Sequence, residues 1–157
     1  MSNIKTIAVG ELAPDFNLKD NRGDQVKLSD YRGKKVLLSW HPLAWTSVCA
    51  KQMKALEDNL PEFESLNTVP LGFSVDAYPS KNAWAKELKI ANVKLPSDFW
   101  PHGGVAKEYG IFRENDRFSE RVNILIDEQG KVAWLKIYAV PELPDINEVL
   151  TAIKNLK

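Results

Sequence analysis

The sequence contains one cysteine, Cys49, and its surroundings favour nucleophilic chemistry. Cys49 follows an apolar run over residues 35–40 that predicts a buried strand, and it belongs to a helical pattern that begins at Val48. We therefore expect Cys49 in the first turn of a helix, where unpaired N–H groups and the helix dipole both favour a thiolate. The alternative is a structural role, because an unpaired cysteine is commonly a small, buried hydrophobic residue.

Thr46 and Pro42 precede Cys49 at spacings that predict a shared pocket. Thr46 is one helical turn before the sulfur, so its hydroxyl can face the same side, and Pro42 can form a rigid wall. The pattern Pro42-x-x-x-Thr46-x-x-Cys49 resembles the active-site signature of the peroxiredoxins. That resemblance implies that the cysteine attacks a peroxide, the threonine orients the peroxide and the proline shields the sulfur.

Composition excludes several classes of function and suggests a compartment. Lys+Arg and Asp+Glu both number 21, so no basic excess favours binding to nucleic acid or to an anionic membrane. The apolar runs are too short for a membrane span, and the first 14 residues lack the pattern of a signal peptide. A single cysteine cannot form an intrachain disulfide, which favours a reducing, cytoplasmic location. The length predicts one domain over residues 1–157.

The periodicity of the chain predicts an α/β fold. Alternation over residues 15–20 and 25–28, around a turn at 21–24, predicts a hairpin, and a glycine-closed helical turn follows at 29–33. Further strands are predicted at 35–40, 68–75, 121–126 and 131–138, and helices at 48–67, 80–89, 105–109 and 144–156. We expect Pro61 to break the first helix, Ser80 to cap the second, and residues 113–120 to form a polar loop. This order predicts a mixed central sheet flanked by helices, in a thioredoxin-like fold with an added N-terminal hairpin.

The resemblance to peroxiredoxins extends over nearly the whole chain. The matching segments are residues 11–16, 28–34, 42–49, 74–76, 84–85, 97–103, 107–110 and 121–131. In detail the sequence is most similar to the one-cysteine, alkyl hydroperoxide reductase E-like branch. The resemblance implies a thiol-dependent peroxidase that reduces hydrogen peroxide or organic hydroperoxides through a sulfenic acid on Cys49.

Arg121 falls where the family places its active-site arginine. A guanidinium keeps its charge at any working pH, so it could favour the thiolate and donate to both sulfur and peroxide. Without the resemblance, an arginine at a strand start would be expected to lie in solvent or in a surface ion pair. Gln52, one turn after Cys49, is where the family often holds this arginine with a glutamate or glutamine. We also expect the N–H group of Val48 to donate in the site, and Trp84 to support it.

With no second cysteine, an outside thiol must reduce the sulfenic acid. We expect a thioredoxin-, glutaredoxin- or mycoredoxin-like protein or a low-molecular-weight thiol, or else Cys49 of another copy. A disulfide reductase of the thioredoxin type is disfavoured, because Gln52 stands where its second cysteine would be. The alternative to an enzyme is a thioredoxin-fold redox sensor or holdase chaperone, which would keep the fold without turnover.

The two histidines, His41 and His102, give weaker indications of function than the cysteine segment does. His41 adjoins the motif, which raises a cysteine–histidine hydrolase as an alternative, but no orienting carboxylate stands out. His102 lies in an aromatic loop, where we expect an interface or capping role. Two histidines and one cysteine show no metal-ligand spacing, and we find no glycine-rich phosphate loop, so we predict no metal or cofactor.

Loops expected near Cys49 carry many aromatic residues. The candidates for a contact surface are Trp45, Tyr78, Pro79, Phe99, Trp100, Pro101 and His102. Such clusters on loops usually mark an interface, and many peroxiredoxins dimerise through loops near the active site. We therefore expect a homodimer; alternatively, these rings line the substrate pocket or pack on the core.

Overall fold

A computed structural model describes residues 5–156 of the chain. Residues 1–4, on which part of the signal-peptide prediction rests, and residue 157 lie outside this range. In chain order the strands and helices are β1 (Asn17–Lys19), β2 (Gln25–Lys27), β3 (Lys35–Trp40), α1 (Ser47–Asp58), α2 (Leu60–Ser65), β4 (Thr68–Phe73), α3 (Tyr78–Glu87), α4 (Gly104–Glu108), β5 (Phe112–Arg113), β6 (Phe118–Ser119), β7 (Arg121–Ile126), β8 (Val132–Tyr138) and α5 (Ile146–Lys154).

The central sheet has four strands in the order β4-β3-β7-β8. β3 and β4 are parallel and are joined by a helical crossover, whereas β7 pairs antiparallel with both β3 and β8. β1 and β2 form a separate antiparallel hairpin, and a 3₁₀ turn over Leu28–Tyr31 follows them. The predicted mixed sheet, N-terminal hairpin and helical layers are confirmed.

Both faces of the sheet are covered, and the strand period of two sorts the side chains between them. One face presents Val36, Leu38 and Trp40 of β3 to a core that includes the N-terminal segment and α4. The opposite face presents Leu37 of β3 and Leu125 of β7 to a core that contains residues of α1, α2, α3 and α5. Arg121 and Leu125 are four residues apart on β7 and therefore lie on the same face of the sheet, the face that α1 covers.

Several local predictions need correction. The predicted helix over 48–67 does break, but at Asn59. Pro61 lies in the first turn of α2, where a backbone N–H has no acceptor within the helix, so proline is tolerated. Ser80 is not a cap, because α3 already begins at Tyr78 after Ala77, with Pro79 in its first turn. The stretch predicted as a polar loop at 113–120 contains part of the short β5–β6 hairpin.

The last helix begins later than predicted, at Ile146. Its N-cap is Asp145, whose side chain accepts a hydrogen bond from the N–H of Asn147 at 2.9 Å. Within residues 5–156, none of the helices has both the length and the apolar character that crossing a membrane would require.

Candidate active site

The register of β3 and β7 determines where the predicted site residues meet. Trp40, the last residue of β3, pairs with Val122 of the antiparallel β7, so the start of β7 lies beside the end of β3. α1 begins seven residues after β3 and places Cys49 in its first turn, as the sequence predicted. Arg121 therefore lies next to the start of α1 on the same face of the sheet.

Arg121 contacts the sulfur directly. Its Nη1 lies 3.3 Å from Cys49 Sγ, within the distance of a hydrogen bond to sulfur. Both residues are buried, at 3% exposure for Arg121 and 1% for Cys49. Because water is excluded here, a charge-assisted contact between the guanidinium and the sulfur is stronger than it would be in solvent.

Gln52 and a backbone carbonyl hold the guanidinium in place. Arg121 Nη1 donates to Gln52 Oε1 at 2.7 Å, and its Nε donates to the carbonyl oxygen of Val140 at 2.8 Å. Gln52 is itself fixed, since its Nε2 donates to Ser39 Oγ at 2.8 Å and to the Trp40 carbonyl at 3.1 Å. Because both acceptors of the guanidinium are neutral, its positive charge remains available to the sulfur.

Thr46 occupies the N-cap position of α1, but its side chain makes no capping hydrogen bond. Its hydroxyl instead donates to the carbonyl oxygen of Leu43 at 2.7 Å. A hydroxyl whose proton is engaged in this way still has oxygen lone pairs that can accept a hydrogen bond. The first N–H groups of α1, including that of Val48, have no acceptor within the helix. Pro42 is buried one residue before Leu43.

Trp84 and His41 form the buried wall beside the site. Trp84 belongs to the same apolar core as Cys49 and is 2% exposed. The ring of His41 packs against it with centroids 5.3 Å apart, and neither ring nitrogen of His41 makes a hydrogen bond of good geometry, although the backbone of Ser39 favours its protonated form. Burial, reinforced by the charges of Lys81 and Arg121, holds the pKa of His41 well below its ordinary value. A neutral imidazole without a hydrogen bond to sulfur does not form the arrangement of a cysteine–histidine dyad.

Lys81 is a buried charge near the site that sequence reasoning did not single out. It is 0% exposed, and burial lowers its pKa to about 7, opposed by the charges of Asp76, Asp98 and Cys49. Asp98 is also buried, and burial raises its pKa to about 6, although its carboxylate accepts from two backbone N–H groups at the start of α4. A lysine in an amphipathic helix normally faces solvent, so only its position on the packed side of α3 distinguishes it.

The aromatic residues of the candidate contact surface lie largely in solvent. The exposed fractions are 54% for Trp45, 38% for Tyr78, 52% for Phe99 and 80% for Trp100. The neighbouring Pro79, Pro101 and His102 are exposed as well. Trp45 is attached to α3 through its Nε1, which donates to Ser80 Oγ at 3.0 Å. These rings are not packed in the core, which contradicts the alternative of core packing for them.

The described residues contain no group of three or more His, Cys, Asp or Glu side chains that could hold a metal ion. The site offers a buried sulfur with a fixed guanidinium beside it, and the Thr46 hydroxyl lies at the start of the helix that carries the sulfur. Such an arrangement suits attack by a thiolate on an electrophile that develops negative charge as its bond breaks.

The model of the AhpC/TSA family matches residues 9–135 of the chain. Alkyl hydroperoxide reductase E of Mycobacterium tuberculosis is 38% identical over 138 residues, which cover 87% of this chain and 90% of that protein. Peroxiredoxin-1 of Gallus gallus is 31% identical over 154 residues, covering 93% of this chain and 77% of that protein.

Solved structures lead to the same family. The reduced 2-Cys peroxiredoxin of Plasmodium vivax superposes with a TM-score of 0.84 at 30% identity, covering 93% of this chain and 80% of that chain. The mitochondrial 2-Cys peroxiredoxin of Plasmodium falciparum superposes with a TM-score of 0.83 at 27% identity, covering 94% and 92%. With one cysteine where those proteins are described as having two, the chain belongs to the AhpC/TSA family as a peroxiredoxin of the one-cysteine type, a thiol-dependent peroxidase.

Proposed function

We propose that Cys49 is the residue that reduces the peroxide. Its thiolate attacks one peroxide oxygen, the O–O bond breaks, and the departing oxygen leaves as water or an alcohol once protonated. The sulfur is oxidised by two electrons to a sulfenic acid, and the peroxide is reduced by the same two. The observation that carries this assignment is the 3.3 Å contact between Arg121 Nη1 and Cys49 Sγ in a buried site.

Four neighbouring groups have the remaining roles in this proposal. Arg121 donates to the sulfur and to the bound peroxide, and so stabilises the negative charge that develops on the departing oxygen. Thr46 accepts a hydrogen bond from the peroxide, because its own proton is donated to Leu43. Pro42 and the N–H group of Val48 complete the pocket at the start of α1.

An external thiol then completes the cycle. The sequence has no second cysteine to condense with the sulfenic acid. We expect the reductant to be a small protein with a redox-active thiol, of the thioredoxin, glutaredoxin or mycoredoxin kind, or a low-molecular-weight thiol. The thiol sulfur attacks the sulfenic sulfur and releases water, and a second thiol reduces the mixed disulfide to regenerate Cys49.

Steady-state turnover tests the nucleophile. Wild-type protein should consume hydrogen peroxide and an organic hydroperoxide continuously with dithiothreitol, and Cys49→Ser should retain the fold and lose this activity. Mass spectrometry should find the oxidised wild type heavier by one oxygen on the peptide that contains Cys49. Turnover by Cys49→Ser near the wild-type rate contradicts the assignment, and a single oxidation event without turnover would favour the alternative of a redox sensor or holdase.

We further propose a homodimer with two-fold symmetry, formed through an aromatic patch that consists of Trp45, Tyr78, Phe99 and Trp100. All four side chains are more than a third exposed. Trp45 is joined to the first turn of α3, which begins at Tyr78, by its hydrogen bond to Ser80, and Phe99 follows Asp98, whose N–H donates to Ser74 shortly before α3. Large exposed aromatic rings favour an interface, since aromatic residues are enriched in interface cores. In an isologous interface each copy would cover the patch of the other and shield both sites from water.

Analytical ultracentrifugation at micromolar concentration tests the dimer. The wild type should sediment as a dimer, and the double substitution Trp45→Glu with Trp100→Glu should give a monomer, because two buried carboxylates would lack partners. Leu143→Glu is the matched control, because Leu143 is 45% exposed and lies outside the patch. A monomeric wild type, or a dimer that survives the double substitution, contradicts the proposal.

We also propose a cytoplasmic location. The proposed reaction consumes reduced thiols, and the cytoplasm maintains them. Fractionation of the source cells with an antibody against the chain tests this, and recovery mainly from an oxidising compartment would contradict it.

A further inference from the structure

Lys81 satisfies all of its hydrogen-bond donors inside the protein. Its Nζ donates to the carbonyl oxygens of Gly72 at 3.0 Å and Pro96 at 2.9 Å, and to Ser74 Oγ at 2.8 Å. An ammonium has three protons, and here each has one acceptor. A lysine is almost never fully buried without such partners, so this arrangement indicates a specific role for the ammonium.

The bond to Ser74 fixes the direction of the next hydrogen bond. Ser74 Oγ accepts from Lys81 and has its own proton free to donate elsewhere. The acceptor is Asp76 Oδ2, at 2.7 Å. The same carboxylate oxygen accepts from the backbone N–H of Ala44, also at 2.7 Å. A continuous series of hydrogen bonds therefore runs from the buried ammonium to the loop before α1.

That loop determines where Thr46 is held. Ala44 follows Leu43, whose carbonyl oxygen accepts from the Thr46 hydroxyl at 2.7 Å. The next residue, Trp45, has a φ of 68°, in the left-handed region that a bulky residue rarely adopts. Such a backbone persists only where its surroundings enforce it, and the bond from Ala44 to Asp76 supplies one such restraint.

Charged groups around Lys81 support the ammonium form. Asp76, Asp98 and Cys49 all favour the positive charge and oppose the effect of burial. Asp98 is fixed separately, by the N–H groups of Val105 and Ala106, and its own N–H donates to the carbonyl of Ser74 at 2.8 Å. The ammonium therefore links the end of β4, the segment around Pro96 and, through Ser74, the loop before α1.

We propose that Lys81 is a positioning residue of the peroxidase reaction, which acts through Ser74 and Asp76 to hold the 43–46 turn so that Thr46 faces the peroxide. This proposal rests on the proposed roles of Cys49 and Thr46. It assigns no contact with substrate to Lys81. Removal of the ammonium should loosen the turn and misplace the threonine hydroxyl, and small displacements of an orienting group are costly in rate.

The test compares two reactions of the same sulfur in Lys81→Met, which replaces the side chain by an unbranched one that is one atom shorter and has no charge. The rate of sulfenic acid formation with hydrogen peroxide should fall about tenfold or more. The rate of alkylation of Cys49 by iodoacetamide does not need Thr46 but does depend on the charge interaction between Lys81 and Cys49, so it should fall by a much smaller factor. Ser74→Ala breaks the same series at its middle member and should give the same pattern, so it substitutes for Lys81→Met if that variant does not fold. Equal losses in both reactions, or no loss in either, overturn the proposal.

A double-mutant cycle and a control make the test specific. If Lys81 acts through Thr46, the variant Lys81→Met with Thr46→Val should react with peroxide within about twofold of Thr46→Val alone. Effects that multiply would overturn the proposal. Thr68→Val is the control, and it should react with peroxide at the wild-type rate. Thr68 is buried at the start of β4, whereas Ser74 follows the end of that strand, and the Thr68 hydroxyl donates to the carbonyl oxygen of Leu66.

The proposed function and this inference fail in distinguishable ways. If Cys49→Ser retains turnover, the proposed function is wrong regardless of Lys81. If Cys49→Ser is inactive while Lys81→Met and Ser74→Ala react with peroxide as fast as the wild type, the proposed function stands and the positioning role is wrong.

Discussion

His41 should make the stability of this protein sensitive to mild acid. The imidazole is 0% exposed, neither ring nitrogen makes a hydrogen bond of good geometry, and the charges of Lys81 and Arg121 oppose its protonation, against a smaller contribution from the backbone of Ser39 that favours it. Burial first, and these positive charges second, hold the pKa of His41 well below 6.5. The folded protein therefore keeps this histidine neutral at a pH at which the unfolded chain protonates it.

The sign of the effect follows from proton uptake. Above pH 6.5, the ordinary pKa of histidine, neither state is protonated at this position and the group imposes no pH dependence. As the pH falls below 6.5, the unfolded chain gains a proton that the folded chain lacks, so the free energy of unfolding decreases. The decrease is at most about 1.4 kcal/mol per pH unit, or about 3 kcal/mol over two units. That is a large part of the roughly 5–15 kcal/mol that stabilises a typical domain.

The assay is urea denaturation of the wild type and His41→Leu between neutral pH and about two units below 6.5. Any packing cost of the leucine is the same at every pH and cancels from the slope of the difference. Asp98, whose pKa is raised to about 6, stabilises the folded state as the pH falls below 6, which is opposite to the effect of His41. Asp98 is present in both proteins, so its contribution cancels from the difference in the free energy of unfolding. For each pH unit below the ordinary histidine pKa, we expect the free energy of unfolding of His41→Leu to rise relative to that of the wild type by up to about 1.4 kcal/mol. Parallel stability curves for the two proteins would refute this reasoning.

Three further predictions concern two side chains that act in the proposed reaction and one glycine of the backbone. Arg121→Ala should slow peroxide attack about 10²- to 10³-fold, the usual loss when a donor to developing negative charge is removed. Thr46→Val should slow it about tenfold, the equivalent of one lost hydrogen bond; stopped-flow measurement of sulfenic acid formation checks both, and unchanged rates would exclude these residues from the site. Gly110→Ala should destabilise the fold by about 1–3 kcal/mol more than Gly33→Ala. Both glycines have positive φ, but a Cβ at Gly110 would clash with the carbonyl oxygen of Lys5, whereas one at Gly33 would meet nothing within 4 Å. Urea denaturation measures the pair, and equal losses would contradict the predicted clash.

Local sequence patterns were sufficient to predict most of the secondary structure. The strands at 35–40 and 121–126 coincide with β3 and β7, because each is a short apolar run bounded by polar or turn residues. The predicted start of α3 was wrong. Ser80 is a good capping residue by type, but the helix begins two residues earlier, because Pro79 can occupy its first turn. The β5–β6 hairpin was missed because its strands have only two residues each, too few to show a period.

The sequence by itself also determined the candidate nucleophile. Its strand-then-helix pattern places Cys49 in the first turn of α1, and the helix start depends only on nearby residues. The tertiary structure decided which groups surround the sulfur. Arg121 is 72 residues away, and it reaches Cys49 only through the antiparallel register of β3 and β7. Sequence spacing cannot specify that register without the sheet itself.

Lys81 shows the limit of sequence reasoning most clearly. In the sequence it is one of several lysines in a helical stretch, and its type predicts a solvated side chain. Its burial depends on which side of α3 packs against the sheet, and its acceptors come from β4 and from the segment at Pro96. A buried ammonium is stable only where several distant acceptors meet, and only the folded chain brings those acceptors together.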